Sequence, residues 1–352
     1  MLNSEDISVV IQGAINSDII KTLKSVRKFL PKSEIILSTW ENSKVENLSC
    51  FCDVLLLNKD PNAVVFDISE QKYNNLNRIL VSSKNGIEKA SRKYVLRLRS
   101  DLILKNNNVL TLFDDFEIRN PQCSLFKKRI FAYEIFSIKY DVKKHLKQEM
   151  LFHISDWCYF GLKEDLQELF DIPLVDEPEF SNYFKNHKKT DKDIFPSRLW
   201  KMSPEQYITS MNAKKVFENF EFSNYLDINF KNIEDSENFI INNFRIFSKR
   251  QWGIYSLKKL YKDIDMSILN PTLYYSQTEQ LYDYQKYSKL DKTVVKQESW
   301  LYQLEYFENL RKHFLLLFIC ECSLNKKFSE LFSFVYYLWM FNFALIRNYL
   351  CK

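Results

Sequence analysis

The chain is poor in glycine: only Gly13, Gly86, Gly161 and Gly253 occur in 352 residues. A Walker A loop and a Gly-x-Gly-x-x-Gly turn both need several closely spaced glycines, so neither phosphate cradle is present. Cysteine is sparse and odd in number. The seven residues Cys50, Cys52, Cys123, Cys158, Cys320, Cys322 and Cys351 fit reduced thiols better than a disulfide framework. Cys50 and Cys52, like Cys320 and Cys322, adjoin apolar runs and read as small hydrophobes rather than zinc ligands, so no structural metal is expected. Charge of one sign is also lacking. Fifty Lys and Arg against 45 Asp and Glu leave a net +5 spread along the chain, which argues against a nucleic-acid partner.

Long hydrophobic runs are missing as well. Residues Met1 to Asp6 are polar, without the cationic and apolar regions of a signal peptide, so a cytoplasmic protein is expected. The stretch Leu331 to Ile346, sixteen residues long, is apolar except for Ser333 and Asn342. As a helix it reaches about 24 Å, short of the roughly 30 Å hydrocarbon core. Its aromatic content and basic flanks suit either a helix at the inner face of the inner membrane or a core helix of a C-terminal region.

What is present reads as α/β. The β-branched run Ile7 to Ile11 ends at Gln12 and Gly13, and Ile19, Ile20, Leu23 and Val26 follow at helical spacing up to Pro31. Two short apolar strands follow, Glu34 to Trp40 and Asp53 to Leu57. Leu76, Ile79, Leu80, Ile87 and Ala90 mark a further helix, which leads into a strand from Tyr94 to Leu98. The period of two on that strand puts Val95, Arg97, Arg99 and Asp101 on one face and Tyr94, Leu96 and Leu98 on the other. Ligands of open α/β sheets bind outside the carboxyl ends of the strands, so Gln12, Trp40 and Asp101 are expected along one rim.

Beyond residue 110, Ile130 to Ile138 and Phe152 to Phe160 read as strand-like runs. Ser181 to Ser197 is polar and reads as a mobile surface loop. Ser203, Pro204 and Gln206 then form a helix start with a capping box. The expected organisation is a catalytic domain over residues 1–215 and a mainly helical region over 216–352, with the candidate membrane-surface helix at 331–346.

Five segments, taken in order, carry a resemblance: Val10 to Gly13, Glu34 to Trp40, Asn74 to Arg78, Lys93 to Asp101 and Ser155 to Trp157. Together they resemble the WavE lipopolysaccharide-synthesis family over most of residues 7 to 212. The resemblance implies a GT-A-like, Rossmann-like mixed and mostly parallel sheet flanked by helices. It also implies a glycosyltransferase with a nucleotide-sugar donor and a lipopolysaccharide, lipooligosaccharide or capsule-type glycan acceptor. A nucleotidyltransferase would make such a donor, but its Gly-rich loop after the first strand is represented only by Gly13. A non-catalytic scaffold of the glycan-assembly machinery is the other alternative.

GT-A enzymes place an Asp-x-Asp metal motif after a central strand, and here the place reads Arg99-Ser100-Asp101. Asp101 is the candidate ligand of a divalent cation, Mn²⁺ or Mg²⁺, with Arg97 and Arg99 available to neutralise diphosphate directly. The Asp-x-Asp strings at Asp191 to Asp193 and Asp263 to Asp265 read as solvated charges. Gln12, Gly13, Trp40, Asn77 and Arg78 are the remaining candidates for the donor. Asp156 is the candidate general base, with Glu205 the second carboxylate. His153 and Trp157 are candidates for the acceptor, although a single histidine in an apolar run is also a common core residue.

Overall fold

The computed structural model describes residues 2–67, 72–143, 146–190, 193–257, 273–275 and 277–288. The segment Leu331 to Ile346, the cysteines from Cys320 onward and the string Asp263 to Asp265 lie outside the described residues.

The apolar runs become a seven-stranded sheet. Its first strands are β1 (Ile7–Gln12), β2 (Glu34–Trp40) and β3 (Val54–Asn58), with helix α1 (Ile19–Phe29) between the first two. A small hairpin, β4 (Val64–Asp67) and β5 (Lys72–Asn74), leads into α2 (Leu76–Lys89) and then β6 (Tyr94–Arg99). There follow β7 (Leu102–Leu104), β8 (Ile130–Tyr133), β9 (Ile138–Lys143), β10 (Leu146–Glu149), β11 (Cys158–Leu162) and α3 (Lys163–Phe170). The later elements are α4 (Tyr183–Asn186), α5 (Pro204–Ala213), α6 (Phe230–Asn243), β12 (Phe244–Phe247), α7 (Lys249–Trp252), β13 (Ile254–Ser256), β14 (Leu273–Tyr274) and α8 (Gln277–Ser288).

The strand order is β12-β8-β11-β6-β1-β2-β3. Strand β11 runs antiparallel to β6 and β8, while the pairs β6/β1, β1/β2, β2/β3 and β8/β12 are parallel. All six residues of β1 are buried, as a strand covered on both faces requires. The alternation read from the sequence sorts them. Val10, Ile36 and Val95 share a core with Leu76, Leu80 and Ile87 of α2, and Val9, Ile11, Ile35, Leu96 and Leu98 share the opposite one with Leu23 and Val26 of α1.

Helix α2 lies close to the sheet at Gly86. A Cβ built there falls 2.5 Å from Val10 Cγ1 and 3.2 Å from Ser38 Cβ. Gly86→Ala should therefore destabilise the protein by about 1–3 kcal/mol through overpacking, although alanine is the better helix former. Urea denaturation checks this, and an unchanged or raised midpoint would show that the helix can lift off without cost.

The far edge of the sheet is made by β12, so the sheet draws on residues from both sides of position 215. Helix α8 covers that edge through Gln280. Its Oε1 accepts from Ile246 N at 2.9 Å and its Nε2 donates to the Phe244 carbonyl at 2.7 Å. Among the described residues no helix is long and apolar enough to cross a membrane.

Two segments depart from the sequence expectation. Residues 152–157 are a loop rather than part of a strand, with Phe152 at φ +56°. Every residue from Met150 to Phe160 is buried, so the run is apolar because the loop is enclosed. The segment after Ser181 is tied down instead of lying free on the surface. Lys189 Nζ donates to the Phe195 carbonyl at 2.9 Å, to Arg198 O and to Tyr225 Oη at 3.1 Å, and pairs with Asp193 at 2.9 Å.

Candidate active site

Parallel pairing aligns the strand ends along one rim. Gln12 stands opposite Ser38 on one side and Arg99 on the other, and Trp40 ends β2 two residues beyond Ser38. Immediately after β1, Gly13 adopts φ +113° and donates its N–H to the Ser38 carbonyl at 3.1 Å. Gln12 points inward. Its Oε1 accepts from Ser82 Oγ at 2.7 Å under the rim, and Gln12 and Trp40 are both buried.

The end of β6 carries two guanidinium groups with different surroundings. Arg99 binds Asp101 through two hydrogen bonds, Nε to Oδ1 at 2.9 Å and Nη2 to Oδ2 at 2.6 Å. Burial pulls its pKa down, but Asp101, Asp156 and Glu205 outweigh that and hold it above the ordinary arginine value. Arg97 is fully buried, donating Nε to Ser83 Oγ at 3.0 Å and Nη1 to Asp156 O, while Nη2 finds no acceptor. It serves as a buried charge beneath the loop that carries Asp156.

Both candidate carboxylates face this basic strand end. Asp156 is buried, and its carboxylate oxygens make no hydrogen bond among the described residues. Burial first, and the Glu205 carboxylate second, push its pKa up to about 6. Burial raises Glu205 too. Glu205 stands in the first turn of α5, where Ser203 Oγ accepts from Gln206 N at 3.2 Å and Gln206 Oε1 accepts from Ser203 N at 3.3 Å, the expected capping box.

His153 lies between the loop and that helix. Its Nδ1 donates to the Phe136 carbonyl at 3.0 Å, and Nε2 stands 3.9 Å from Glu205 Oε2. Burial lowers its pKa to about 4, so it is neutral near pH 7 with Nε2 unprotonated. Phe136 and Phe152, which flank this arrangement, both have positive φ, +67° and +56°. Non-glycine residues held there store about 1–3 kcal/mol each, which the surrounding packing must offset.

Three candidates are occupied in ways the sequence did not indicate. Trp157 is no open plate for a sugar: it is buried, its ring 4.9 Å from the Phe136 ring and 4.1 Å from the Arg99 guanidinium. It fixes the face of Arg99 instead. Asn77 exchanges two hydrogen bonds with the backbone of Val175, both 2.9 Å, which turns it away from the rim. Arg78 is bound to Asp60 by two bonds of 2.7 and 2.6 Å.

The donor set at Asp101 does not fit a divalent cation in this arrangement. Both carboxylate oxygens are taken by Arg99, and among the described residues no group of three His, Cys, Asp or Glu is placed to hold a metal. A cavity of about 620 Å³ contains neither Asp156 nor Glu205. It lies beside α5 among Leu174, Phe180, Met202, Tyr207 and Phe222.

Sequence reasoning missed Arg198. It stacks on Phe195 with 3.5 Å from guanidinium to ring centre and lies 5.6 Å from the Trp200 ring centre, and its charge acts on both His153 and Glu205. A signal was available in Phe195-Pro196-Ser197-Arg198-Leu199-Trp200, a cation set between two aromatic residues.

The model of the WavE lipopolysaccharide synthesis family matches residues 7–317. The chain belongs to that family. The match includes the loop 152–157, α5 and the Arg198 segment, and it runs past residue 212 into β12 and α8. No curated protein matches the chain significantly. Among solved structures, it is similar to a Drosophila β1,4-galactosyltransferase 7 in complex with manganese, UDP-Gal and xylobiose, at 12% identity and TM-score 0.25. That likeness covers 46% of this chain and 51% of the other, so this WavE-family chain spans about half of that protein. It is also similar to the 4-diphosphocytidyl-2C-methyl-D-erythritol synthase of Anaerococcus prevotii, at 11% identity and TM-score 0.30, over 53% and 87% of the two chains. A third, from Thermus thermophilus, is described as a mannose-1-phosphate geranyltransferase, at 10% identity and TM-score 0.27, over 47% and 63%. Likenesses this slight carry no argument about the chemistry of the WavE-family site.

Proposed function

We propose that this WavE-family chain is a GT-A-type glycosyltransferase that moves a sugar from a nucleotide-sugar donor to a lipopolysaccharide, lipooligosaccharide or capsule-type glycan. The observation that carries the reading is the Asp156 carboxylate, buried at the rim with both oxygens unbonded among the described residues and its pKa pushed up to about 6. A base in that range is ionised near neutral pH yet still holds a proton well enough to take one in the transition state. Buried carboxylates with only a structural role are normally saturated with hydrogen bonds.

In the proposed reaction Asp156 takes the proton of an acceptor hydroxyl as its oxygen attacks the anomeric carbon. The bond from that carbon to the diphosphate oxygen breaks, and the nucleoside diphosphate leaves with the electron pair. Arg99, held by Asp101 and Trp157, supplies positive charge toward the developing diphosphate without having to reorganise. Neutral His153 and Glu205 line the acceptor side, and Glu205 keeps the Asp156 pKa high. On this reading the protein works in the cytoplasm, at the inner face of the inner membrane.

Thermal shift with UDP, GDP, CMP and their sugars, each with and without Mn²⁺, tests the proposal. One nucleotide series should stabilise the protein, by about 2.7 kcal/mol at a hundredfold excess over Kd. If none of the series moves the melting temperature, the donor reading fails and a non-catalytic role replaces it.

A further inference from the structure

Buried and half-buried arginines of the described residues donate from their guanidinium groups to protein acceptors, with one exception. Arg27, Arg78, Arg99, Arg129 and Arg245 each pair with an aspartate. Arg119 donates to three backbone carbonyls, and Arg97 to Ser83 and the Asp156 carbonyl. Arg198 is half-buried, yet its guanidinium makes no hydrogen bond and no ion pair among the described residues. Its five N–H donors are left for something other than the protein.

The position is held by hydrogen bonds on both sides. Leu199 N donates to the Phe66 carbonyl at 2.7 Å, and Phe184 N donates to the Leu199 carbonyl at 2.8 Å. Ser197 Oγ donates to Asp67 at 2.8 Å, and Arg198 forms a backbone bridge with Asp67. Phe195 supports the guanidinium face, while Trp200 is itself stacked on Phe66 at 3.8 Å. A guanidinium held by its face with its edge free is suited to bidentate recognition of a phosphate or carboxylate. Five residues on, Ser203 caps α5, whose first turn carries Glu205.

We propose that Arg198 is an oxyanion-binding residue of the same site and takes a phosphate group of the donor diphosphate. The assignment of that oxyanion to a nucleotide sugar rests on the function proposed above; the oxyanion site itself does not. Arg198 adds its charge to that of Arg99, and the carboxylates of Asp141, Glu205 and Asp67 act on Arg198 without a hydrogen bond or ion pair among the described residues.

Calorimetric titration of inorganic diphosphate, UDP and GDP into the full chain tests this, using wild type, Arg198→Gln and Arg198→Lys. Wild type should bind inorganic diphosphate and one of the nucleotides. Arg198→Gln should weaken both by about ten- to hundredfold, the loss of a charge-assisted pair of bonds. Arg198→Lys should weaken them less, since it keeps the charge and loses the fork. Equal affinities in wild type and Arg198→Gln overturn the proposal. Should Arg198→Gln fail to fold, Arg198→Lys decides, and affinities equal to wild type then overturn it. Arg198-dependent binding of inorganic diphosphate with neither UDP nor GDP bound upholds the oxyanion site and removes the UDP-sugar and GDP-sugar readings instead. If wild type binds none of the three ligands, both fall.

Discussion

Asp156→Asn should lower turnover by about two to four orders of magnitude while changing donor affinity little. The substitution keeps the shape of the side chain and removes only its ability to accept a proton. The backbone carbonyl of Asp156, which anchors Arg97, is untouched. The same residue sets the pH dependence. With its pKa pushed up to about 6 by burial and by Glu205, wild-type turnover should rise with pH through that value as the base ionises.

Stability should run the other way. The folded protein binds the Asp156 proton more tightly than the unfolded chain, so this group contributes stability that is fully present below about pH 4 and lost as pH rises through about 6. The neutral asparagine avoids that loss. At pH 8 Asp156→Asn should therefore melt at or above wild type despite being nearly inactive, and the difference should shrink below pH 5. A variant that loses donor binding in calorimetry, or unfolds early at pH 8, would show that Asp156 supports the structure rather than the proton transfer.

Asp101→Asn should damage both stability and rate, because the carboxylate is not the open strand-end group that its position suggests. Its two bonds to Arg99 form a pair with side chains only 19% and 14% exposed. Removing one partner of a buried pair leaves the other charge uncompensated, at a cost of about 3 kcal/mol. The freed Arg99 then acts more strongly on Asp156 and Glu205, the other carboxylates already within its influence. The acid limb of the pH–rate profile should move to lower pH as Asp156 becomes a weaker base.

The double variant Arg99→Gln with Asp101→Asn separates the two effects. It should recover much of the lost stability, since neither charge is then stranded, but not the activity. A single Asp101→Asn variant with wild-type denaturation midpoint and an unmoved acid limb would mean that the pair holds nothing in place.

The periodicities of the chain were enough to read the first half of the fold. Alternation in β1 and β6 separated Val10 and Val95 from Val9 and Leu96, and the structure buries them in the two cores accordingly. Helix α2 and the capping box of α5 were equally legible, because helix starts and apolar stripes are written within a few residues of each other. The expected rim of Gln12, Trp40 and Asp101 rested on the same rule, that parallel strands joined by helices end on one side, and the strand that leads to Asp101 does end at Arg99 opposite Gln12.

Partners across long sequence separations were not legible. Asn77 is bound to Val175 and Trp157 is covered by Arg99 and Phe136, arrangements between residues 98, 58 and 21 positions apart that leave no local pattern. The enclosed loop 152–157 imitated a strand because burial, not alternation, made it apolar. The sequence by itself determined which residue types reach the strand ends, through periods of two and of about 3.6. Only the tertiary structure decided which of those charges pair with each other, as Arg99 does with Asp101, and which find no such partner among the described residues, as with Arg198. The reason is that pairing depends on distance in space, which the chain settles only when its distant segments pack.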